Sequence, residues 1–211
     1  MGIEKLIDGY QNFKSNAFES NKSLFNTLAT NHAPEVFFIT CCDARISPEL
    51  ITSTKPGDLF VYRSVGNIVP KYSGNSNSIM CSMLAAIEFA TLVLKVNDII
   101  ICGHSDCRAC AGFYQDLKTK HLFGVDSWLE QSRDDIDTFI KTELDEGSPE
   151  GREERTEKMS LICQYNNLIN YPSVKSSINN GSLGVHAWYY NIGKGGIEMF
   201  DNKSMKFTAI A

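Results

Sequence analysis

Two short groups of reactive side chains lie far apart in this 211-residue chain. In the first group, Cys41, Asp43 and Arg45 alternate, so an extended backbone would point all three side chains the same way. In the second group, His104 and Cys107 are three residues apart and would share one face of a helix that begins there. Two thiolates and one imidazole form a donor set that suits zinc. Three protein ligands leave the fourth position of a tetrahedral ion open, which is typical of reactive zinc sites.

The same cysteines also fit a second chemistry. Cys107 and Cys110 form a C-x-x-C motif, which predicts either a redox pair or a further metal ligand at Cys110. A redox module would leave His104 and the group around Cys41 without a role, so we favour the metal site. The other cysteines lie in apolar segments or alternate away from the ligand side, and we interpret them as packing residues: Cys42, Cys81, Cys102 and Cys163.

Short apolar runs directly precede both groups. Residues 36–40 are typical of a buried strand that leads into Cys41, and residues 98–102 of another that leads into His104. Residues 78–95, with Ile79 on the apolar face, predict a largely buried helix between them. A strand, a helix and a strand in succession predict parallel pairing. Both groups would then leave the carboxyl edge of one sheet, where open α/β sheets build their sites.

The other segments complete an α/β fold with a mostly parallel central sheet flanked by helices. The pattern of apolar residues predicts one or two amphipathic helices before residue 34. The charged segment 134–158, with a loop at 147–151, is interpreted as a solvated helical surface. The further predicted elements are strands at 59–62 and 183–190, a helix at 152–170, and an edge strand around 197–200.

Length and composition indicate one ordinary globular domain over residues 1–211, with residues 1–33 as an N-terminal helical arm. A net charge of -5 gives no basic footprint for nucleic acid. No apolar run approaches the roughly 20 residues of a membrane span, and the N-terminus lacks the basic flank of a secretion signal. Seven cysteines in a chain of this size indicate reduced thiols. We therefore expect a cytoplasmic protein with neither a nucleic-acid nor a membrane partner.

Together the two groups resemble the zinc signature of the β-class carbonic anhydrases, in which Cys-x-Asp-x-Arg is followed by His-x-x-Cys. Here the first motif is Cys41-x-Asp43-x-Arg45 and the second is His104-x-x-Cys107. The segments 60–70, 85–89, 171–174 and 185–190 are also similar to this family. The resemblance covers most of the chain, from about residue 31 to residue 200.

The resemblance implies a zinc enzyme that reversibly hydrates carbon dioxide to bicarbonate and a proton. Cys41, His104 and Cys107 would bind one Zn²⁺ per subunit. Asp43 would accept a hydrogen bond from the nucleophile while Arg45 grips its carboxylate, and a freed Asp43 could instead bind zinc. The resemblance further implies a homodimer or a higher even oligomer, in which the N-terminal helices pack on a partner subunit.

The resemblance also implies a narrow, largely apolar substrate pocket. Phe60, Val65 and Phe89 would line it, although the two phenylalanines fit a core role equally well. His32 stands where the family commonly has a glutamine that contacts substrate, and a histidine there could donate a hydrogen bond or carry protons. Arg108 replaces the glycine that usually follows the second cysteine ligand, so it belongs to the predicted surroundings of the site.

Two alternatives to an active carbonic anhydrase stay open. Arg108 beside the site suggests a zinc-binding homologue with lost or altered activity, and the C-x-x-C motif suggests a thiol redox module built on Cys107 and Cys110. We expect the guanidinium of Arg108 to turn outward, towards Asp106 or a partner subunit, because burying an unpaired cation beside a cationic metal is unfavourable.

Overall fold

The computed structural model describes residues 2–74, 81–146 and 148–210 of the chain. The chain divides into two compact units, Met1–Ala33 and Pro34–Ala211. Each unit has its own secondary structure, and the two are described separately below.

The first unit is helical, as the amphipathic pattern predicts. It consists of α1 (Ile3–Asn12), which continues into a π-helical segment, and α2 (Lys22–Leu28). Three phenylalanine rings of this unit contact one another, with centroids 5.1 to 6.2 Å apart: Phe13, Phe18 and Phe25. These contacts hold the two helices of the unit together.

The second unit is built around one sheet. Its described strands are β1 (Val36–Cys41), β2 (Leu59–Ser64), β3 (Asp98–His104), β4 (Gly184–Asn191), β5 (Gly196–Asp201) and β6 (Lys206–Ala209). They are arranged in the order β2-β1-β3-β4-β5-β6. The first four are parallel and the last two antiparallel, which confirms the predicted mostly parallel sheet.

The predicted edge strand around residues 197–200 is present as β5, but the prediction of its position was wrong. β6 pairs with β5 through Phe200 and Phe207, so β5 is an internal strand. The sequence carries little signal for β6, because four residues are too few for a clear alternation of polar and apolar side chains. β6 therefore forms the outer strand on this side of the sheet.

Helices cover the sheet and connect its strands. The described helices of this unit are α3 (Pro48–Thr52), α4 (Cys81–Glu88), α5 (Arg108–Ala111), α6 (Phe123–Asp145), α7 (Arg152–Ile169) and α8 (Pro172–Asn179). The predicted helix over 78–95 is confirmed from Cys81 through a π-helical extension to Leu94, while its start, including Ile79, lies outside the described residues. Within the described ranges, no helix has the length and apolar character needed to cross a membrane.

The apolar run of β1 is buried on both faces of the sheet, as its lack of alternation predicts. Phe37 and Ile39 pack into the larger core cluster with residues of α4, α7 and α8. Phe38 points to the opposite face, where its ring meets Trp188 with centroids 6.2 Å apart. With β1 anchored on both faces, its last residue, Cys41, lies at the carboxyl edge of the sheet.

The interpretation of segment 134–158 as a solvated surface is only partly correct. It spans the end of α6, a loop and the start of α7, and Gly147 of the loop lies outside the described residues. Two carboxylates within the segment, those of Glu143 and Glu157, are buried. Glu143 accepts hydrogen bonds from Arg155 at 2.6 to 3.0 Å, which compensates the burial of its charge.

Candidate metal centre

The carboxyl ends of β1 and β3 bring three metal-binding side chains together. Cys41 is the last residue of β1, His104 is the last residue of β3, and Cys107 immediately precedes α5. One ligand atom from each residue lies within 4.8 Å of the other two, and all three residues are buried. The residues whose types suggested zinc are thus adjacent in space.

His104 is oriented for coordination through one nitrogen. Its Nδ1 lies 2.9 Å from the backbone carbonyl oxygen of Ser105, so Nδ1 carries the proton and donates. Its Nε2 is buried and has no hydrogen-bond partner among the described residues. A buried, unpartnered nitrogen with a free lone pair is costly unless a metal or a donor occupies the space before it. The imidazole therefore fits a metal ligand.

The thiols of Cys41 and Cys107 also fit a role as metal ligands. The adjacent Cys107 thiol and burial raise the pKa of Cys41 to about 12. The adjacent Cys110 thiol is the main cause that raises the pKa of Cys107 to about 12. Two such thiols become thiolates at neutral pH when a cation compensates the charge, as zinc does. The donor set of two cysteines and one histidine therefore fits Zn²⁺.

Asp43 is paired with Arg45 and is not part of the three-residue group. Arg45 donates from Nε and Nη2 to the two carboxylate oxygens of Asp43, at 2.9 and 2.7 Å, and its backbone N–H donates to Oδ1 at 2.9 Å. Arg45 holds the pKa of Asp43 well below its usual range. Of the two states that the sequence leaves open for Asp43, the structure has the one in which it is gripped by Arg45.

Asp106 provides a second partner for Arg45, which the sequence did not indicate. Nη1 of Arg45 donates to Oδ2 of Asp106 at 2.6 Å, and Nη2 donates to its backbone carbonyl oxygen at 2.9 Å. Asp106 has a φ of 55°, in the left-handed region. Because Asp106 lies between His104 and Cys107, Arg45 links the loop that carries these ligands to the end of β1.

Two other contacts support Cys41. Arg63 donates from Nη1 to the carbonyl oxygen of Cys41 at 3.1 Å and from Nη2 to that of Ile46 at 2.7 Å. The backbone N–H of Gly66 donates to Sγ of Cys41 at 3.4 Å. An N–H directed at sulfur stabilises a thiolate, so this contact supports Cys41 as a charged ligand.

Glu157 supports Cys107 from α7. Glu157 is only 4 % exposed. Oε1 accepts the backbone N–H of Cys107 at 2.7 Å, and Oε2 accepts the hydroxyl of Tyr189 at 2.7 Å. Burial raises the pKa of Glu157. No motif indicates Glu157, because its contact depends on how α7 packs against the strands.

Val65 precedes Gly66, whose N–H contacts Cys41, and itself lines an apolar cavity. It is 42 % exposed. With Ser64, Gly124, Val125 and Trp128 it lines a largely apolar, open cavity of about 480 Å³. The Trp128 indole donates to the carbonyl oxygen of Val65 at 2.7 Å, which fixes one wall of the cavity.

Phe60 and Phe89 contact each other at a distance from the metal group of the same chain. Their ring centroids are 5.8 Å apart, and the ring of Phe60 also packs on Phe37. Phe60 pairs with Phe37, four residues before Cys41 on β1. At the usual rise of a strand, four residues place Phe37 about 13 Å from Cys41 along β1. The third aromatic residue of the predicted pocket, His32, belongs to the first unit.

Arg108 begins α5 and is exposed. It lines a cavity of about 260 Å³ together with Cys107, Cys110, Tyr114 and Arg152, whereas neither Cys41 nor His104 lines this cavity. The predicted orientation towards Asp106 does not form an ion pair within the described ranges, because the carboxylate of Asp106 pairs with Arg45 instead.

The fold and this group of residues define a class of enzyme. A family model described as carbonic anhydrase matches residues 36–197. The chain therefore belongs to the β-class carbonic anhydrase family, whose reaction is the reversible hydration of carbon dioxide to bicarbonate.

Individual relatives are similar over nearly their whole length. The carbonic anhydrase of Pseudomonas aeruginosa is 35% identical over 209 residues, covering 99% of this chain and 92% of the relative. Carbonic anhydrase 1 of Escherichia coli O157:H7 is 34% identical, with 99% and 93% covered. The solved structure of the β-carbonic anhydrase CcaA superposes with a TM-score of 0.86 at 33% identity, with 99% and 92% covered.

Replacing Gly66 with alanine should weaken both the fold and the metal centre. Gly66 has a φ of 70°, and an added Cβ would lie 2.8 Å from Cβ of Ala109. A left-handed conformation costs about 1–2 kcal/mol for an alanine, and relief of the clash would move the N–H that reaches Cys41. We expect a lower melting temperature and reduced zinc content.

Gly124→Ala is the matched control, because an added Cβ there has nothing within 4 Å. It is the second residue of α6, where alanine fits the helix at least as well as glycine. A Gly66→Ala protein that matches this control in both melting temperature and zinc content would contradict the role given to Gly66.

Proposed function

We propose that this chain hydrates carbon dioxide with one Zn²⁺ held by Cys41, His104 and Cys107. The observation that carries the proposal is the convergence of three buried donors, one of which is an imidazole nitrogen without a partner among the described residues. Three protein ligands leave one position for the reaction. The resemblance in sequence and the family match support the same reaction.

In this proposal the residues around the metal have distinct tasks. Zinc, when bound, supplies a Lewis acid that makes hydroxide available near neutral pH, a general property of this ion in carbonic anhydrases. Asp43 accepts a hydrogen bond from the nucleophile and so directs its lone pair at the carbon. Arg45 holds both oxygens of Asp43, which keeps the carboxylate ionised and away from the metal. Asp43 and Arg45 are therefore the proposed catalytic pair.

The proposed substrate pocket involves residues that the chain places in different regions. Val65 is next to the N–H that contacts Cys41, so its side chain is well placed to form an apolar wall. Phe60 and Phe89 lie away from the metal group of their own chain, so their proposed pocket role requires a partner subunit. His32 remains a proposed hydrogen-bond donor to substrate.

We propose one family domain over residues 1–211, assembled as a homodimer or a higher even oligomer in the cytoplasm, with residues 1–33 packed on a partner subunit. The apolar residues Ile3, Leu6 and Tyr10 of α1 are exposed, which supports burial in an assembly. A relative from Sordaria macrospora, described as tetrameric, has a TM-score of 0.81 at 25% identity, covering 99% of this chain and 98% of its own. Carbon dioxide and bicarbonate are the proposed small-molecule partners.

X-ray absorption at the zinc edge tests the proposed ligand set. We expect two sulfur neighbours, one nitrogen and one oxygen for the reduced, zinc-loaded protein. Three sulfur neighbours would place Cys110 in the coordination sphere, and a spectrum without sulfur would exclude Cys41 and Cys107. The oxygen distance at different pH values would distinguish water from the carboxylate of Asp43.

Arg108→Ala should leave inhibition by small anions unchanged. The side chain of Arg108 lines a cavity that Cys41 and His104 do not reach, so it is remote from an anion bound at the metal. Inhibition constants for iodide, measured for both proteins, should agree, while oligomer mass or melting temperature changes. A loss of anion affinity of about tenfold, or about 1.4 kcal/mol, with unchanged assembly would place Arg108 in the substrate pocket.

A further inference from the structure

Cys110 is a buried thiol next to the metal group that the proposed reaction does not use. Cys107 caps α5 and Cys110 is its third residue, so the C-x-x-C motif occupies the first turn of this helix. Cys110 is not a member of the three-residue metal group. A C-x-x-C at the start of a helix after a strand is the arrangement of dithiol redox sites.

The two thiols are close enough to be joined. Cys107 and Cys110 line the same cavity, so their side chains face a common space. Residues three apart in a helical turn have Cα atoms about 5 Å apart, which is inside the range of about 4.4–6.8 Å that disulfides span. A disulfide between Cys107 and Cys110 therefore needs rotation of side chains and little movement of backbone.

A cavity gives small molecules access to this pair from the side away from the other ligands. The cavity of about 260 Å³ is lined by both Cys107 and Cys110, and neither Cys41 nor His104 lines it. Two other buried cysteines, Cys102 and Cys163, are also absent from its walls. A peroxide entering here would meet the C-x-x-C pair and no other thiol of the described residues.

We propose that Cys107 and Cys110 form a peroxide-sensitive disulfide that releases the metal and switches the enzyme off; this rests on the proposed function, in which Cys107 is a zinc ligand. The sulfur of Cys107 attacks one oxygen of hydrogen peroxide, the O–O bond breaks, and a sulfenic acid and hydroxide form. The Cys110 thiol then attacks this sulfur, and the S–S bond forms as water leaves. The two sulfurs lose two electrons, the hydroxide takes a proton from solvent, and the peroxide is thereby reduced to two waters.

The disulfide removes one of three protein ligands, because a disulfide sulfur is not a thiolate donor. Cys41 and His104 alone form an incomplete site, so zinc affinity falls. A dithiol reductant reverses the reaction by thiol–disulfide exchange and restores Cys107 as a ligand. The zinc affinity of the site, and with it the activity, would thus depend on the redox state of the surroundings.

The experiment treats reduced, zinc-loaded protein with hydrogen peroxide and compares it with Cys110→Ala, Cys110→Ser and the control Cys163→Ala. The zinc released by peroxide is measured with a chromophoric chelator. Dithiothreitol and zinc are then added, and the zinc that the protein binds again is measured. Trypsin cuts after Arg108, between the two cysteines, so the disulfide would join peptide 96–108 to peptide 109–118 in a non-reducing digest. Fragmentation of the joined peptides separates Cys107 from Cys102.

We expect the wild type and Cys163→Ala to release one zinc per chain, to form the Cys107–Cys110 link, and to reload zinc after reduction. Both Cys110 variants should form no such link and should recover less zinc after reduction than the wild type, because a Cys107 sulfenic acid without its neighbour in α5 is more open to further oxidation. Absence of the link in the wild type, or full zinc recovery in both Cys110 variants, would overturn the switch. Zinc content before peroxide tests the proposed function separately, since the digest detects the link with or without bound metal.

Discussion

Cys41→Ser is expected to lose nearly all bound zinc and all measurable hydration of carbon dioxide. A hydroxyl is a much poorer zinc ligand than a thiolate, and the remaining ligands, His104 and Cys107, cannot complete the site. Changes in residues that only support a ligand typically weaken metal affinity by about 10–100-fold, so loss of a ligand should exceed this range. Zinc content by elemental analysis and hydration by stopped flow measure the two effects.

The neighbouring Cys42 provides the matched control, because it is an exposed cysteine outside the metal group. Cys42→Ser should keep zinc and activity, whereas Cys107→Ser should behave like Cys41→Ser. Full zinc occupancy in Cys41→Ser or Cys107→Ser would show that the ligand set is wrong. Equal loss in Cys42→Ser would show that the effect comes from damage to the end of β1.

Asp43→Asn is expected to keep zinc and to lower the hydration rate by about 100-fold or more, the scale of a positioned proton acceptor. The amide has the size of the carboxylate, but it presents one NH₂ group where Arg45 now finds an oxygen. Whichever way the amide turns, its NH₂ group faces either the N–H donors of Arg45 or the nucleophile, so asparagine cannot serve both partners as the proposed role of Asp43 requires. Stopped-flow rates should be measured on protein whose zinc content matches the wild type.

Asp106→Asn is the control for this change, since it also removes a carboxylate from Arg45. The Arg45–Asp106 pair is largely exposed, and such pairs contribute little, about 0–1 kcal/mol. We expect a hydration rate close to that of the wild type for Asp106→Asn. A rate of Asp43→Asn near that of this control would remove Asp43 from the mechanism.

The position of the ligands could be predicted from the sequence because strong local signals and a general rule of folds agree. The unbroken apolar run of β1 indicates a strand buried on both faces, and parallel strands end at one edge of the sheet. Cys41 and His104 follow such strands and meet there. Their partner Cys107 follows from its spacing to His104, since one turn of chain separates them.

The contacts that support these ligands could not be predicted, because they depend on packing between distant segments. Glu157 reaches Cys107 only through the placement of α7 against the strands, and its sequence context is charged, which indicated a solvated surface. The register of β2 on β1 likewise decides that Phe60 lies beside Phe37, away from Cys41. The pattern of apolar residues along one strand does not determine the register in which that strand pairs with its neighbour.

In the proposed function, zinc bound by Cys41, His104 and Cys107 gives this chain its carbon dioxide hydratase activity. Its most direct test is the hydration rate, followed by stopped flow, as zinc is titrated into reduced, metal-free protein. The rate should rise in proportion to added zinc and stop rising at one zinc per chain. A rate that stays at the level of buffer with zinc bound, or a metal-free protein as fast as the loaded one, would contradict the claim.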